Sequence, residues 1–80
     1  MIRYIYTQHK GQTLTSGGRN VTYQIYRVIH NKPKYLGEHK ANTGAYRGDV
    51  SEVKSFIAKK DGYQFDGYRF KRGDIEVEEV

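Results

Sequence analysis

Between Asp61 and Phe70 the chain reads Asp-Gly-Tyr-Gln-Phe and then Asp-Gly-Tyr-Arg-Phe, one pentapeptide used twice with Gln64 exchanged for Arg69. Side chains on a β-strand alternate faces with a period of two, so a period of five is out of phase. An unbroken strand would send Tyr63 and Phe65 to one side and Tyr68 and Phe70 to the other. Glycine tolerates positive φ, so Asp66-Gly67 can correct the phase by a tight hairpin or by a bulge. A two-residue hairpin would leave arms of only three residues. A bulge or irregular bend is therefore expected, with Phe65 and Phe70 both reaching the core under a helix. On this reading the repeat is mainly structural, and Arg69 is a minor contact candidate.

The helix that precedes the repeat is well marked. Asp49 suits an N-cap and Glu52 lies three residues on, in capping-box position. Val50, Val53, Phe56 and Ile57 form one apolar stripe, so a helix from about Val50 to Lys60 is expected to dock on a sheet. Lys59 and Lys60 complement its C-terminal dipole, and Gly62 can take the left-handed conformation that closes it.

Strands fill the first half. Ile2 to Thr7 alternates Ile2, Tyr4 and Tyr6 with Arg3, Ile5 and Thr7, and the more apolar set should face the core. Gln8 to Asn20 is polar and glycine-containing, which reads as a long loop or as a strand extension broken at Thr15-Ser16. Val21 to His30 has no interior Gly or Pro and is the clearest strand. Its core side should carry Val21, Tyr23, Ile25, Arg27 and Ile29. Asn31-Lys32-Pro33-Lys34 reads as a turn, because Pro33 fixes its own φ and restricts Lys32. Tyr35 to Lys40 should then return antiparallel, with Leu36 inward and Tyr35 and His39 outward. After a turn at Lys71-Arg72-Gly73-Asp74, Ile75 to Glu78 alternates apolar with acidic residues as a strand does, its glutamates discouraging edge pairing.

Together these elements predict one α+β domain over residues 1–80: an antiparallel sheet of four to five strands with one helix on one face. The order is β-β-β-α-β, with room for a final hairpin. Eighty residues without cysteine make a small domain with no disulfide framework and no thiolate metal site. No run has signal-peptide or membrane-span character, so a cytoplasmic protein without membrane contact is expected.

Charge is unevenly distributed. Residues 1–48 hold eight Lys or Arg and one acid, whereas residues 49–80 hold six basic and eight acidic residues. A basic body of this kind suits a polyanion, although exposed lysine is ordinary on small domains. His9, His30 and His39 lack metal-ligand spacing, and Asp49, Asp61, Asp66 and Asp74 sit where capping and turn formation explain them. No cofactor, metal site or catalytic residue is expected. Gly17-Gly18 lacks the Lys-Ser/Thr of a phosphate loop, and a turn explains it better. Arg-Gly-Asp occurs at Arg47-Gly48-Asp49 and at Arg72-Gly73-Asp74, where cap and turn roles explain both better than adhesion does.

The outward face of the meander offers Gln24, Tyr26 and Tyr35, expected to be flanked by Lys32, Lys34 and Lys40 and joined by Arg3. Arg19 lies on the early arm, and Tyr46 and Arg47 add the same chemistry on the loop before the helix. Such a surface pairs cations for phosphates with aromatic planes for bases. The expectation is a non-enzymatic module that binds DNA or RNA through an open sheet face and basic hairpin. The alternative is a protein-binding module, or an inhibitor of the anti-CRISPR kind, docking on an acidic protein or a nucleoprotein complex. The run from Tyr23 to Ile29, leading through a basic turn into Lys34-Tyr35-Leu36-Gly37-Glu38, resembles in outline AP2-type and integrase arm-binding domains. Those lay a three-stranded sheet in a DNA groove. The likeness covers about half the chain and carries no residue assignments.

Overall fold

The computed structural model describes residues 1–13, 19–43 and 50–80, with residues 12, 13, 19 and 43 described by backbone alone. The elements follow the order β1 (Ile2–Thr13), β2 (Arg19–Ile29), β3 (Lys32–Thr43), α1 (Val50–Asp61) and β4 (Ile75–Glu79). They form one four-stranded sheet in the order β3-β2-β1-β4. The three-stranded meander and its helix match the sequence expectation, but the sheet is mixed. β4 runs parallel to β1, from Ile2 opposite Ile75 to Tyr6 opposite Glu79. The Ile2 N–H donates to the Asp74 carbonyl at 2.8 Å and the Val80 N–H to the Tyr6 carbonyl at 2.9 Å, bracketing that pairing. A parallel partner needs a crossover rather than a turn. Here α1 supplies it, carrying the chain from the β3 edge across the sheet to the opposite edge, so no final hairpin forms.

The first hairpin is longer than the glycine-rich sequence suggests. β1 continues through Gln8–Thr13, pairing His9 with Thr22 and Lys10 with Val21 before a register shift that brings Thr13 opposite Arg19. The proposed break at Thr15-Ser16 and the Gly17-Gly18 turn lie outside the described residues. The second hairpin turns earlier than predicted. His30 and Asn31 both take left-handed φ, 51° and 63°, as the two-residue turn matched to strand twist requires. Lys32, Pro33 and Lys34 are therefore part of β3, paired with Ile29, Val28 and Arg27. Pro33 is tolerated because β3 is an edge strand.

One face of the sheet is the core. Ile2, Tyr4 and Tyr6 of β1 and Val21, Tyr23 and Ile25 of β2 lie under α1, which buries Val53, Ile57 and Ala58 against them. On β3 the alternation changes phase: Ile25 pairs with Gly37 but Tyr26 pairs with Tyr35, so Leu36 is the additional residue of a bulge. Leu36 packs against the core as expected, whereas His39 turns to the helix side rather than outward. There it stacks on Tyr23 at 6.2 Å, approaches Phe56 at 5.7 Å, and places Nε2 3.0 Å from Glu52 Oε2. A Cβ on Gly37 would lie 2.8 Å from the Phe56 ring, so the bulge is also where the helix comes closest to bare backbone.

The repeat folds as two different devices. Gly62 has φ 77°, and both its N–H and that of Tyr63 donate to the Ala58 carbonyl at 2.9 Å, closing the helix as predicted. Of the two forms expected, the second copy takes the irregular bend and not the bulge, and the bend is tight enough to reverse the chain. Phe65 and Phe70 pair antiparallel around residues 66–69, with Gly67 at φ 101°. Asp66 Oδ1 accepts the N–H groups of Tyr68 and Arg69, both at 2.9 Å, and those bonds hold its carboxyl below the usual value. The side chain thus supplies the turn hydrogen bonds that strand arms this short cannot. Phe70 is buried, Phe65 packs on the core, and Tyr68 is left in solvent.

Candidate functional site

Among the described residues no other element lies on the face opposite α1. Register across it gives a row Pro33–Val28–Arg3–Glu76, a row Tyr35–Tyr26–Ile5–Glu78, and then Glu38–Gln24–Thr7 and Lys40–Thr22–His9. Gln24, Tyr26 and Tyr35 come together as predicted. Their rings meet edge to face at 5.5 Å, the Tyr35 hydroxyl donates to Gln24 Oε1 at 2.7 Å, and Gln24 Nε2 donates to Glu38 Oε1 at 3.0 Å. This chain holds Tyr35 upright while leaving it 55% exposed. Arg3 and Lys40 share the face.

The same parity corrects the expectation for Lys32 and Lys34. They pair with Ile29 and Arg27 and so fall on the helix side. Three carboxylates occupy the open face instead: Glu38, Glu76 and Glu78. Glu76 holds its proton more tightly than a free glutamate because it shares a hydrogen bond with the Glu78 carboxyl and feels its charge, an effect that Arg3 opposes. The predicted site is thus divided in two, an aromatic face of mixed charge and a separate cationic end.

That end is built where the β2–β3 turn, the C-terminus of α1 and the starts of β1 and β4 meet. At its centre Tyr4 donates to Asp61 Oδ2 and therefore receives the Tyr63 hydroxyl, 2.9 Å away. Burial, followed by the Asp61 hydrogen bond, pushes the Tyr4 phenol far above its ordinary value. Arg27 reaches Asp61 at 3.4 Å and lies over the Tyr4 ring at 5.8 Å, while Arg72 lies over the Tyr63 ring at 5.7 Å. Arg72 also grips Asp74 through two hydrogen bonds of 2.7 and 2.8 Å, and these lower the Asp74 carboxyl. This second Arg-Gly-Asp closes on itself rather than presenting both ends outward. Asp61 and Asp74 are thereby occupied by Arg27 and Arg72. Lys32, Lys34, Lys59 and Lys60 stand exposed around them, with no carboxylate within ion-pair distance among the described residues.

Tyr46, Arg47 and the Asp49 cap lie outside the described residues, as does the side chain of Arg19, whose backbone begins β2. Sequence reasoning missed the grouping of Lys59 and Lys60 with the hairpin lysines. The signal was present in the helix stop, since a helix docked antiparallel to β3 must end beside the turn that starts β3. Among the described residues no three His, Asp or Glu side chains converge in a way that would hold a metal, and no helix is long and apolar enough to cross a membrane. Comparison with protein-family models, with curated proteins and with solved structures finds no match for this chain.

Proposed function

We propose that this chain is a non-enzymatic nucleic-acid-binding module that grips backbone phosphates with its cationic end. The observation that carries the reading is that Asp61, next to Lys59 and Lys60 at the end of α1, is tied to Arg27, the β2 residue paired with Lys34, while Asp74 is held by Arg72. A polyanion approaching this end meets cations whose charge is not already neutralised. The ordinary reading of Lys59 and Lys60, dipole compensation at a helix C-terminus, accounts for two of the four lysines and leaves the hairpin pair unexplained. The open face is the poorer polyanion surface, because Glu38, Glu76 and Glu78 lie across it.

Titration of labelled single-stranded DNA, duplex DNA and RNA at several salt concentrations tests this. Binding is expected to weaken linearly on a log–log plot, with a slope of about −0.7 to −0.9 per phosphate neutralised. Replacing Lys32 and Lys34 together by Ala should reduce the slope by about 2 and weaken all three ligands alike, since phosphate contacts carry no sequence information. Absence of binding to every ligand at low salt removes the proposal.

A further inference from the structure

We propose that the outer edge of β3 is the interface of a symmetric dimer of this chain, formed by antiparallel pairing of β3 with the same strand of a second copy. β3 ends the sheet. Among the described residues no backbone–backbone hydrogen bond joins it to anything but β2. A free row of N–H and C=O groups invites another strand unless the edge is blunted. The two edges of this sheet differ in that respect. β4 is five residues long and carries Glu76, Glu78 and Glu79. The first half of β3 has Lys32, Pro33 and Lys34 and then the bulge at Leu36. Beyond the bulge, residues 37–42 keep unbroken register with β2, from Gly37 opposite Ile25 to Asn42 opposite Asn20, and contain no proline. That half of β3 is the edge left open.

Symmetry and charge name the occupant. A two-fold axis perpendicular to the sheet keeps each side chain on its own face, so the axis must pass through one residue of β3. Within residues 37–42 the choice is narrow. Centring on Glu38 or on Lys40 sets that charge against its own copy. Centring on Gly37 brings in the bulge, and centring on Ala41 sets Lys40 against Asn42. Only centring on His39 places Glu38 opposite Lys40, once on each side of the axis. Both residues lie on the open face, paired within their own sheet to Gln24 and Thr22. Both are exposed and lack an ion pair among the described residues, Glu38 accepting only from Gln24 Nε2.

The helix side of the seam accepts the same register. Gly37 falls opposite Ala41, two small residues, and His39 falls opposite itself. Its ring leans inward, against Tyr23 and Phe56 and bonded to Glu52, which leaves the axis clear. An unrelated extended peptide would gain backbone hydrogen bonds alone, whereas a second copy gains two ion pairs as well. Five facing residues span only about 17 Å, so the dimer is weak and concentration-dependent. Two four-stranded sheets become one of eight, with both helices on the same face. The dimer goes beyond the nucleic-acid reading and does not depend on it.

Sedimentation of the protein alone over a wide concentration range tests the proposal. The mass should rise from 9.3 kDa toward twice that value. Glu38→Lys and Lys40→Glu each set like charges across the seam and should weaken association by about tenfold or more, with circular dichroism confirming that the variants are folded. Mixed in equal amounts, the two variants should associate with each other, because each supplies the charges that the other lacks. The double variant should regain association with itself. A constant monomer mass overturns the proposal, as does a dimer that Lys40→Glu leaves intact, a mixture no more associated than its parts, or growth beyond two copies. Nucleic acid is absent throughout, so this outcome and that of the phosphate titration are read separately.

Discussion

The two faces of the sheet use the same materials for opposite ends. Each has a tyrosine pair, Tyr4 with Tyr63 on one side and Tyr26 with Tyr35 on the other, and each ties a phenol to a carboxylate. On the helix side Tyr4 meets Asp61 directly and is fully enclosed, whereas on the open side Tyr35 reaches Glu38 only through Gln24 and stays in solvent. The difference lies in what covers them. A polar group enclosed by α1 must be satisfied within the protein, while one on the open face has water as an alternative. The Tyr4 phenol is thus satisfied within the protein, whereas the Tyr35 phenol stays open to water.

Cutting one isoleucine from each face gives the largest expected difference. Ile57 is completely buried beneath the sheet, so Ile57→Ala should cost about 2–5 kcal/mol in urea unfolding. Ile5→Ala should cost about 1 kcal/mol or less, because Ile5 is only half-buried on the open face. Equal costs would mean that the open face is as structural as the covered one.

How far the faces were legible in the sequence depends on the strand. For β1 and β2 alternation was sufficient: Tyr4, Tyr6, Val21, Tyr23 and Ile25 all lie where period two sends them. On β3 it failed at one residue. Nothing in Tyr35-Leu36-Gly37 marks Leu36 as the extra residue of a bulge, yet the bulge reverses the side of everything after it, which is why alternation sends His39 to the wrong face. The lysines were misplaced for a related reason. Pro33 resembled a turn residue, and only the edge position of β3, a tertiary fact, makes it a strand residue. The direction of β4 was equally hidden, because Ile75–Glu79 alternates in the same way whether it runs parallel or antiparallel to β1. The helix was legible from its stripe, its last-turn lysines and Gly62, all local signals.

Gly37 also gives a test of intermediate size. Its φ is +158°, which side-chain-bearing residues rarely adopt, and a Cβ would lie 2.8 Å from the tip of the Phe56 ring, so Gly37→Ala should destabilise by about 1–3 kcal/mol. Phe56→Leu withdraws the ring tip. The double variant should therefore be more stable than the sum of the two single effects allows, a coupling that denaturant curves of all four proteins measure. Additive effects would show that the close approach is not what keeps residue 37 a glycine.

The smallest expected effect separates the two phenols. Tyr4→Phe removes the donor to Asp61 and leaves a half-buried carboxylate to Arg27 alone, costing about 2 kcal/mol, while Tyr35→Phe should cost about 0.5 kcal/mol or less. Tyr4 should also leave a mark on the pH dependence of stability. Below the ordinary tyrosine value of 10.0, Tyr4 keeps its proton in both the folded and the unfolded chain, so it contributes no slope. Above that value the unfolded chain releases the proton while the folded chain retains it, held by burial and by the Asp61 carboxylate. The unfolded state then binds fewer protons, and stability must fall as pH rises. Tyr4→Phe should flatten this alkaline loss. Matching alkaline profiles for Tyr4→Phe and the unaltered chain would place the phenol of Tyr4 in water, contrary to its enclosure beneath α1.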